Sequence, residues 1–355
     1  MTWPKISIIW LNYNSFKIMP IVLESIESII NLDYPFEKYE FIVVDNGSTD
    51  GSFERIKEFL ERKTSLRKKI IKLSHNLGFT GGNNIGFIAR DKESKYVLLL
   101  NNDAVLFQSS LQTLIEYAEN NDNVAGLQGV VLKYKSRLID TAGDYINELL
   151  RSHSLGEYHE YPWILRKPIY VTYVDGSCAL YRVESILKCL GNKLFIDEFF
   201  GYGDDNVLGL MMWNYGYKLI AIPEAVASHV RGLTFRKGKR STFSVYLSER
   251  NRLALSLITN VTYRSIIPLH VLRSIATTTL VTGFKGSASI IARTLFDGIR
   301  LGKKLRSKGL FINVYKAPLI KIPIKDLGAF FTTKRLIIKY FENWALKNLN
   351  SLTID

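Results

Sequence analysis

Apolar residues along this chain come in short runs that alternate with stretches of helical periodicity. Residues 6–11 (ISIIWL), 40–44 (EFIVV), 69–73 (KIIKL) and 97–100 (VLLL) are apolar and largely aliphatic, the pattern of strands buried in a parallel sheet. Between the first two, Ile18, Ile21, Val22, Ser25, Ile26 and Ile29 recur at helical spacing. Further helices are expected from near Phe53, where the preceding polar loop supplies an N-cap, and after Asn84. Each strand runs into a polar or glycine-rich segment: Asn12-Tyr13-Asn14, then DNGSTDGS from Asp45, then HNLGFTGGNN from His75, then Asn101-Asn102-Asp103. Strands alternating with helices predict an α/β fold, a doubly wound and mostly parallel sheet with these loops gathered on one edge.

Past Asp103 the pattern predicts a helix over 109–120 and a strand over 124–132, then a stretch over 133–168 too irregular to assign. Strand character resumes over 171–181 around Asp175-Gly176-Ser177. A helix opens at Asp204-Asp205 and carries Leu208, Met211, Met212 and Tyr215. A final strand covers 218–222 ahead of Pro223, and the segment to His229 extends along the same edge.

Asp103 is the first candidate for chemistry. In open α/β sheets ligands bind beyond the carboxyl ends of the strands, and an Asp there can hold Mg²⁺ or Mn²⁺ against a diphosphate. Asn and Asp also favour turns and caps, so the segment alone leaves both readings open. No G-x-G-x-x-G follows the first strand and no G-x-x-x-x-G-K-[ST] occurs, which excludes the usual dinucleotide oxidoreductases and P-loop NTPases.

The 355 residues, 47% apolar and 12% aromatic, are enough for a substantial core. Two cysteines fit neither a zinc site nor a disulfide framework, so a reducing compartment is expected. The N-terminus lacks a signal-peptide layout. The net charge of +14 is uneven: residues 231–340 hold 22 Lys and Arg against three acids, the remainder 25 against 30. A mildly acidic body over 1–250 and a basic, apolar-rich helical region over 251–355 are the two expected domains.

With these pieces in order, the chain resembles the inverting family-2 glycosyltransferases of the GT-A fold, in particular the rhamnosyltransferase-like enzymes of surface-polysaccharide assembly. The resemblance rests on ISIIWLNYN, FIVVDNGSTDGS, NLGFTGGNNIG, YVLLLNND, VDGSCALYR, FIDEFFGYGDDNVL, GYKLIAIPEAVASHV and SERN, spread over residues 5–251. It implies that Asn12, Tyr13 and Asp45 lie around the nucleotide base and ribose. Asn76, Gly81 and Asn102 would lie close to the nucleotide sugar. Asp103 would bind a divalent cation, Mg²⁺ or Mn²⁺, with His229 approaching it. Asp205 would be the catalytic base, with Gly176 and Asp204 near the acceptor. Two departures stand out: Asn102 replaces the proline of Asn-Pro-Asp, and Val207 replaces the second aspartate of Glu-Asp-x-Asp-Leu. These keep a second class open, a membrane-bound carbohydrate- or nucleotide-binding protein without catalysis. The Gln-x-x-Arg-Trp motif of processive synthases is missing, which implies a single sugar per visit.

In the basic third, apolar blocks are edged by Lys and Arg. Pro268, His270, Arg273 and four threonines make the longest block a poor membrane span. Such helices suit the interface of an anionic bilayer, where a polyprenyl-linked glycan acceptor would be met. The expected location is cytoplasmic, peripheral on the inner face of the cell membrane. The charge alone would also suit nucleic acid, but no recognition motif accompanies it, and no nucleic-acid partner is expected.

Overall fold

The computed structural model describes residues 3–63, 66–231, 242–282, 287–331 and 334–354. In chain order, β1 (Ile6–Asn12), α1 (Met19–Ile30), β2 (Tyr39–Asp45), α2 (Ser52–Glu61), β3 (Lys68–Lys72), α3 (Gly78–Ala89) and β4 (Tyr96–Asn101) form the alternating first half. There follow β5 (Ala104–Leu106), α4 (Ser110–Glu119), β6 (Val124–Lys133), β7 (Ile139–Thr141), β8 (Asp144–Asn147), β9 (Ser152–Ser154), β10 (Ile169–Tyr170) and β11 (Cys178–Arg182). The chain then forms α5 (Val183–Leu190), α6 (Asp204–Asn214), β12 (Lys218–His229), α7 (Thr242–Ile258), α8 (Ile267–Thr282), α9 (Ser287–Ser307), β13 (Leu319–Ile320) and α10 (Lys334–Leu352).

The main sheet runs β10-β12-β6-β11-β4-β1-β2-β3, with β5 on β12 and β7 on β6. β4, β1, β2 and β3 are mutually parallel, as are β6 and β12, while β11 lies antiparallel between β4 and β6. Side chains on a strand point alternately to its two faces, so a sheet covered on both sides reads as a continuous apolar run. Ile8, Trp10, Phe41, Val43, Leu98 and Leu100 face one core with α1, α2 and α4, through Val22, Ile26, Leu60 and Leu114. Ile9, Ile42, Val44, Val97 and Leu99 face the other, shared with Phe87, Leu208, Met212, Leu253, Val271, Leu301 and Phe341. Each such side chain contributes about 1.5–3 kcal/mol by burial. α3 lies directly on β1 because a Cβ at Gly82 or Gly86 would come within 2.4 Å of Leu11 or Ile9.

Three stretches differ from the sequence pattern. Residues 171–177 are mostly buried and form no strand beyond an isolated bridge of Tyr173 to Asp144; Ser177 N–H donates to the Asp175 carboxylate at 2.9 Å, an Asx turn that delays β11 to Cys178. β12 continues past Pro223 to His229, with register shifts between Ala221 and Ala227 that absorb the missing N–H. Within 133–168 the chain builds β7, β8 and β9, and β8 pairs with β13 from the far end of the sequence. Residue 250, the expected boundary between the two domains, lies inside α7. None of the described helices is long and apolar enough to cross a membrane.

Candidate active site

The parallel strands deliver Asn12, Asp45 and Asn101 to one sheet edge, Asn12 opposite Asp45 and Asn101 opposite Leu11. Asn12 Nδ2 donates to Asp45 Oδ1 at 2.7 Å, and Asn102 Nδ2 lies 3.3 Å from Asn12 Oδ1. Asp45 Oδ2 accepts from Ser48 N–H at 3.0 Å. The Asp45 carboxylate, fully buried, therefore shapes the loop after β2, while Tyr13 is exposed at the rim. Asn76 Oδ1 accepts from Asn46 Nδ2 at 3.0 Å and from Gly78 N–H at 2.7 Å, joining the loops after β2 and β3. Gly81 is buried in the first turns of α3 against Leu77.

β5 and β12 pair with Ala104 opposite His229, which brings residues 126 positions apart into contact. His229 Nε2 lies 3.0 Å from Asp103 Oδ1, and its Nδ1 lies 3.1 Å from Asp140 Oδ2. Burial would lower the His229 pKa, but the flanking Asp103 and Asp140 carboxylates raise it to about 9. Burial would raise Asp140, yet hydrogen bonding from His229 and the charges of Arg231 and Lys133 hold it well below the usual carboxylate range. Arg231 bridges onward, donating through Nε to Asp140 at 2.7 Å and through Nη2 to Asp175 at 2.9 Å.

Asp175 opens the turn that carries Gly176 and Ser177, and the Asn101 N–H donates to Ser177 O at 3.0 Å, tying this turn to the end of β4. A Cβ at Gly176 would stand 2.8 Å from Asp205 Oδ1, so the glycine lets that carboxylate lie against the turn. Asp204 and Asp205 form the first turn of α6, behind Gly203 at φ +83°. Asp205 Oδ1 and Asp204 Oδ2 are buried without hydrogen-bond partners among the described residues. Burial, then the neighbouring charges of Asp204 and Asp175, raise the Asp205 pKa well above the ordinary value. Burial and Asp175 bring Asp204 up to about 7. The loop ahead of α6 is stapled by α7: Asn251 Nδ2 donates to Gly201 O and Tyr202 O, both at 2.7 Å, and Arg250 Nη2 to Phe199 O at 2.7 Å. These bonds hold Phe200 and Tyr202 at φ +65°, a left-handed conformation that side chains other than glycine rarely adopt.

Asp103 and His229 are thus joined through Asp140, Arg231 and Asp175 to the turn that meets Asp205, and Asn12, Asp45 and Asn102 form a second hydrogen-bonded set at the strand ends; Asn12 and Asp45, both fully buried, and Gly81 face inward. The pattern missed Asp140, Asp175 and Arg231, which couple the Asp103–His229 pair to the Asp205 side. Asp175 lies in VDGS and Arg231 two residues beyond His229, so both had a positional signal; Asp140 sits in the unassigned stretch and had none.

A mostly parallel sheet with acid- and amide-bearing strand ends, joined by β11 and the β5–β12 pair to a second acidic turn, has the GT-A architecture, and the protein is a glycosyltransferase. Residues 7–190, more than half of the chain, match the model of Glycosyl transferase family 2, and the chain belongs to that family. A relative described as an uncharacterized glycosyltransferase of Haemophilus influenzae is 27% identical over 267 residues, 73% of this chain and 74% of that one. The mannosyltransferase PcManGT from Pyrobaculum calidifontis, solved with GDP-Man and Mn²⁺, superposes with TM-score 0.54 at 15% identity, covering 86% of this chain and 88% of its own. Residues 1–349 of S. aureus TarS, in complex with UDP-GlcNAc, give TM-score 0.54 at 16% identity over 86% and 84%. At these identities the structural likeness is one of fold.

Proposed function

We propose that the chain moves one sugar from a nucleoside-diphosphate sugar to a hydroxyl of a glycan or polyprenyl-linked glycan, inverting the anomeric centre and releasing the acceptor after each transfer. The observation that carries this reading is the Asp205 carboxylate. It lies against Gly176, with one oxygen buried and unpartnered among the described residues, and the neighbouring Asp175 is linked through Arg231 and Asp140 to His229 and Asp103.

Direct displacement at an anomeric carbon needs a group that takes the proton of the attacking hydroxyl. Asp205 has that role: burial and the neighbouring carboxylates raise its proton affinity, as a group that must take up the acceptor's proton requires. A nucleoside diphosphate departs as an anion and needs no proton, so one carboxylate suffices where a glycosidase needs two. Tyr13, Asn76 and Asn102 flank the donor, with the buried Asn12, Asp45 and Gly81 fixing the loops beneath it. Asp204 and Gly176 border the acceptor.

The residues at Asp103 fit a divalent cation. Asp140 next to Nδ1 orients the imidazole of His229 so that Nε2 faces the Asp103 oxygen; a cation held there would take the place of the Nε2 proton, leaving a ligating histidine backed by a carboxylate. Among the described residues no three His, Cys, Asp or Glu side chains group to hold a metal, so diphosphate oxygens and water would complete the shell. A carboxylate oxygen suits Mg²⁺ or Mn²⁺, and the imidazole favours Mn²⁺. When bound, such an ion neutralises charge on the departing diphosphate.

The exposed side of α9 supports a peripheral membrane position. Phe296 is 66% and Ile299 41% exposed, among the exposed Arg293, Arg300, Lys303 and Lys304. Asp297, the one acid of this helix, pairs with Arg293 at 3.5 Å and accepts from Tyr246 at 2.5 Å. Apolar tips among cations suit the headgroup region of an anionic cytoplasmic leaflet.

The test is incubation with a panel of nucleoside-diphosphate sugars, Mn²⁺ and polyprenyl-linked or free glycans, with nucleoside diphosphate release as readout. Acceptor-dependent release is expected for at least one donor and is lost in Asp103→Ala. If no donor yields release with any acceptor, the transfer reading is wrong.

A further inference from the structure

Beside the first turn of α6 a cavity of about 430 Å³ opens between Gly203 and Asn206, the loop ahead of β9, and α7. Among the described residues three guanidiniums line it, those of Arg151, Arg231 and Arg252, against one carboxylate, that of Glu249. They come from three separate parts of the chain.

Arg231 is committed to Asp140 and Asp175. Arg252, 7% exposed, donates through Nη2 to Glu249, and its Nη1 lies 3.0 Å from His270 Nδ1. Its Nε is buried without a hydrogen-bond partner among the described residues. Arg151 Nη2 lies 3.7 Å from Glu249 and 3.4 Å from the same His270 nitrogen. His270 Nε2 lies 3.1 Å from Phe330 O, so it carries the proton and Nδ1 accepts from the arginines. The ring adds no charge: burial and then Arg151 and Arg252 push its pKa down to about 3. Ser274 Oγ donates to Glu249 at 2.6 Å.

A cluster with a purely structural role would match its charges, because a buried unbalanced charge and an orphaned donor each destabilise the fold. Arg231 is matched by Asp140 and Asp175, but among the described residues Arg151 and Arg252 share the single carboxylate of Glu249, and the orphaned Nε belongs to a residue bordering open space. Ser152, Ser248 and Asn206 add neutral polar groups to the same walls, and the amino end of α6 adds partial positive charge.

We propose that this cavity binds an anionic group of the acceptor, a phosphate or a carboxylate, through Arg252 and Arg151. The proposal rests on the reading of Asp205 as the acceptor's base, since the cavity borders the residues on either side of it. It makes the acceptor an anionic molecule: a lipid-linked phosphodiester or diphosphate, or a glycan carrying a sugar acid. A guanidinium recognises both anions by the same paired N–H donors.

The test is calorimetric titration of the full chain without divalent cation, using inorganic pyrophosphate in one arm and D-glucuronate in the other. Wild type, Arg252→Gln, Arg252→Lys and Arg151→Gln are compared. At least one probe is expected to bind wild type, and about tenfold more weakly to both glutamine variants, the loss expected for one charge-assisted pair. Arg252→Lys is expected to recover part of the loss. Pyrophosphate alone binding would indicate a phosphate-bearing acceptor, glucuronate alone a sugar acid, and either supports the site. A nucleoside diphosphate with Mn²⁺ is expected to bind every variant within about twofold of wild type and not to displace the probe. The proposal is overturned if neither probe binds wild type, if Arg151→Gln binds as wild type does, or if the nucleoside diphosphate competes. Should Arg252→Gln fail to fold, the partly exposed Arg151 decides the matter. Absence of nucleotide binding in wild type would instead contradict the donor assignment and leave the anion result readable on its own.

Discussion

Replacing Gly176 by alanine places a methyl group 2.8 Å from Asp205 Oδ1 and 3.2 Å from the Phe79 ring. Ordinary contact begins near 3.4 Å, so the carboxylate must retreat by about 0.6 Å or the turn must shift by as much. The obstructing atom is the far end of a side chain, so the fold gives way cheaply. The stability cost is expected near ~1 kcal/mol, the low end for overpacking. In a chain of this size that lowers Tm by only a few degrees. Transfer should suffer far more, because a displacement approaching 1 Å of a reacting group can cost about 100-fold. The variant should therefore melt close to wild type, bind nucleoside diphosphate normally, and show kcat reduced by about 30- to 100-fold. Combined with Asp205→Asn, the glycine substitution should add nothing, since both act on one carboxylate. Full activity in Gly176→Ala would refute the reasoning, and so would a loss fully additive with Asp205→Asn.

Asp204 raises the proton affinity of Asp205. Asp204→Asn is expected to move the acid limb of the kcat/KM profile to lower pH, the base becoming ionised earlier; an unmoved limb would contradict the coupling. Asp140→Asn removes the carboxylate beside His229 Nδ1 and is expected to weaken Mn²⁺-dependent nucleotide binding by about 10- to 100-fold while leaving binding without Mn²⁺ unchanged, as read by titrating the ion. Asn12→Ala strips the buried Asp45 of a 2.7 Å donor and is expected to lower unfolding free energy by about 1–3 kcal/mol in urea. Phe296→Glu with Lys303→Glu should abolish co-sedimentation with vesicles containing anionic lipid while sparing activity on a water-soluble acceptor; unchanged sedimentation would remove α9 from the membrane argument.

The first half of the fold was legible because β1, β2 and β4 are covered on both faces, and such strands must be apolar throughout whatever lies far away in the chain. The loop residues were legible for a related reason: a buried strand ending in Asp45 or Asn101-Asn102-Asp103 exposes its chemistry where the apolar run stops. What the pattern hid depends on distant partners. β8 lies between β9, its near neighbour in sequence, and β13, about 170 residues later, and Tyr145 packs on the likewise distant Phe341 and Trp344. Nothing near residue 145 announces those neighbours. Asp140 reads as one acid among many until β6, paired with both β7 and β12, sets His229 next to it. Pro223 suggested the end of a strand, whereas bulges let the chain carry on to His229. At Asp175 the competing pull was the Asx turn, which local apolar residues on either side concealed.

The measurement that bears most directly on the account is a paired assay of Asp205→Asn, nucleoside-diphosphate affinity with Mn²⁺ alongside acceptor-dependent transfer. The account predicts affinity within about twofold of wild type and transfer lowered by about 100- to 10,000-fold, the range for loss of a general base. Transfer at the wild-type rate with the carboxylate gone would contradict it.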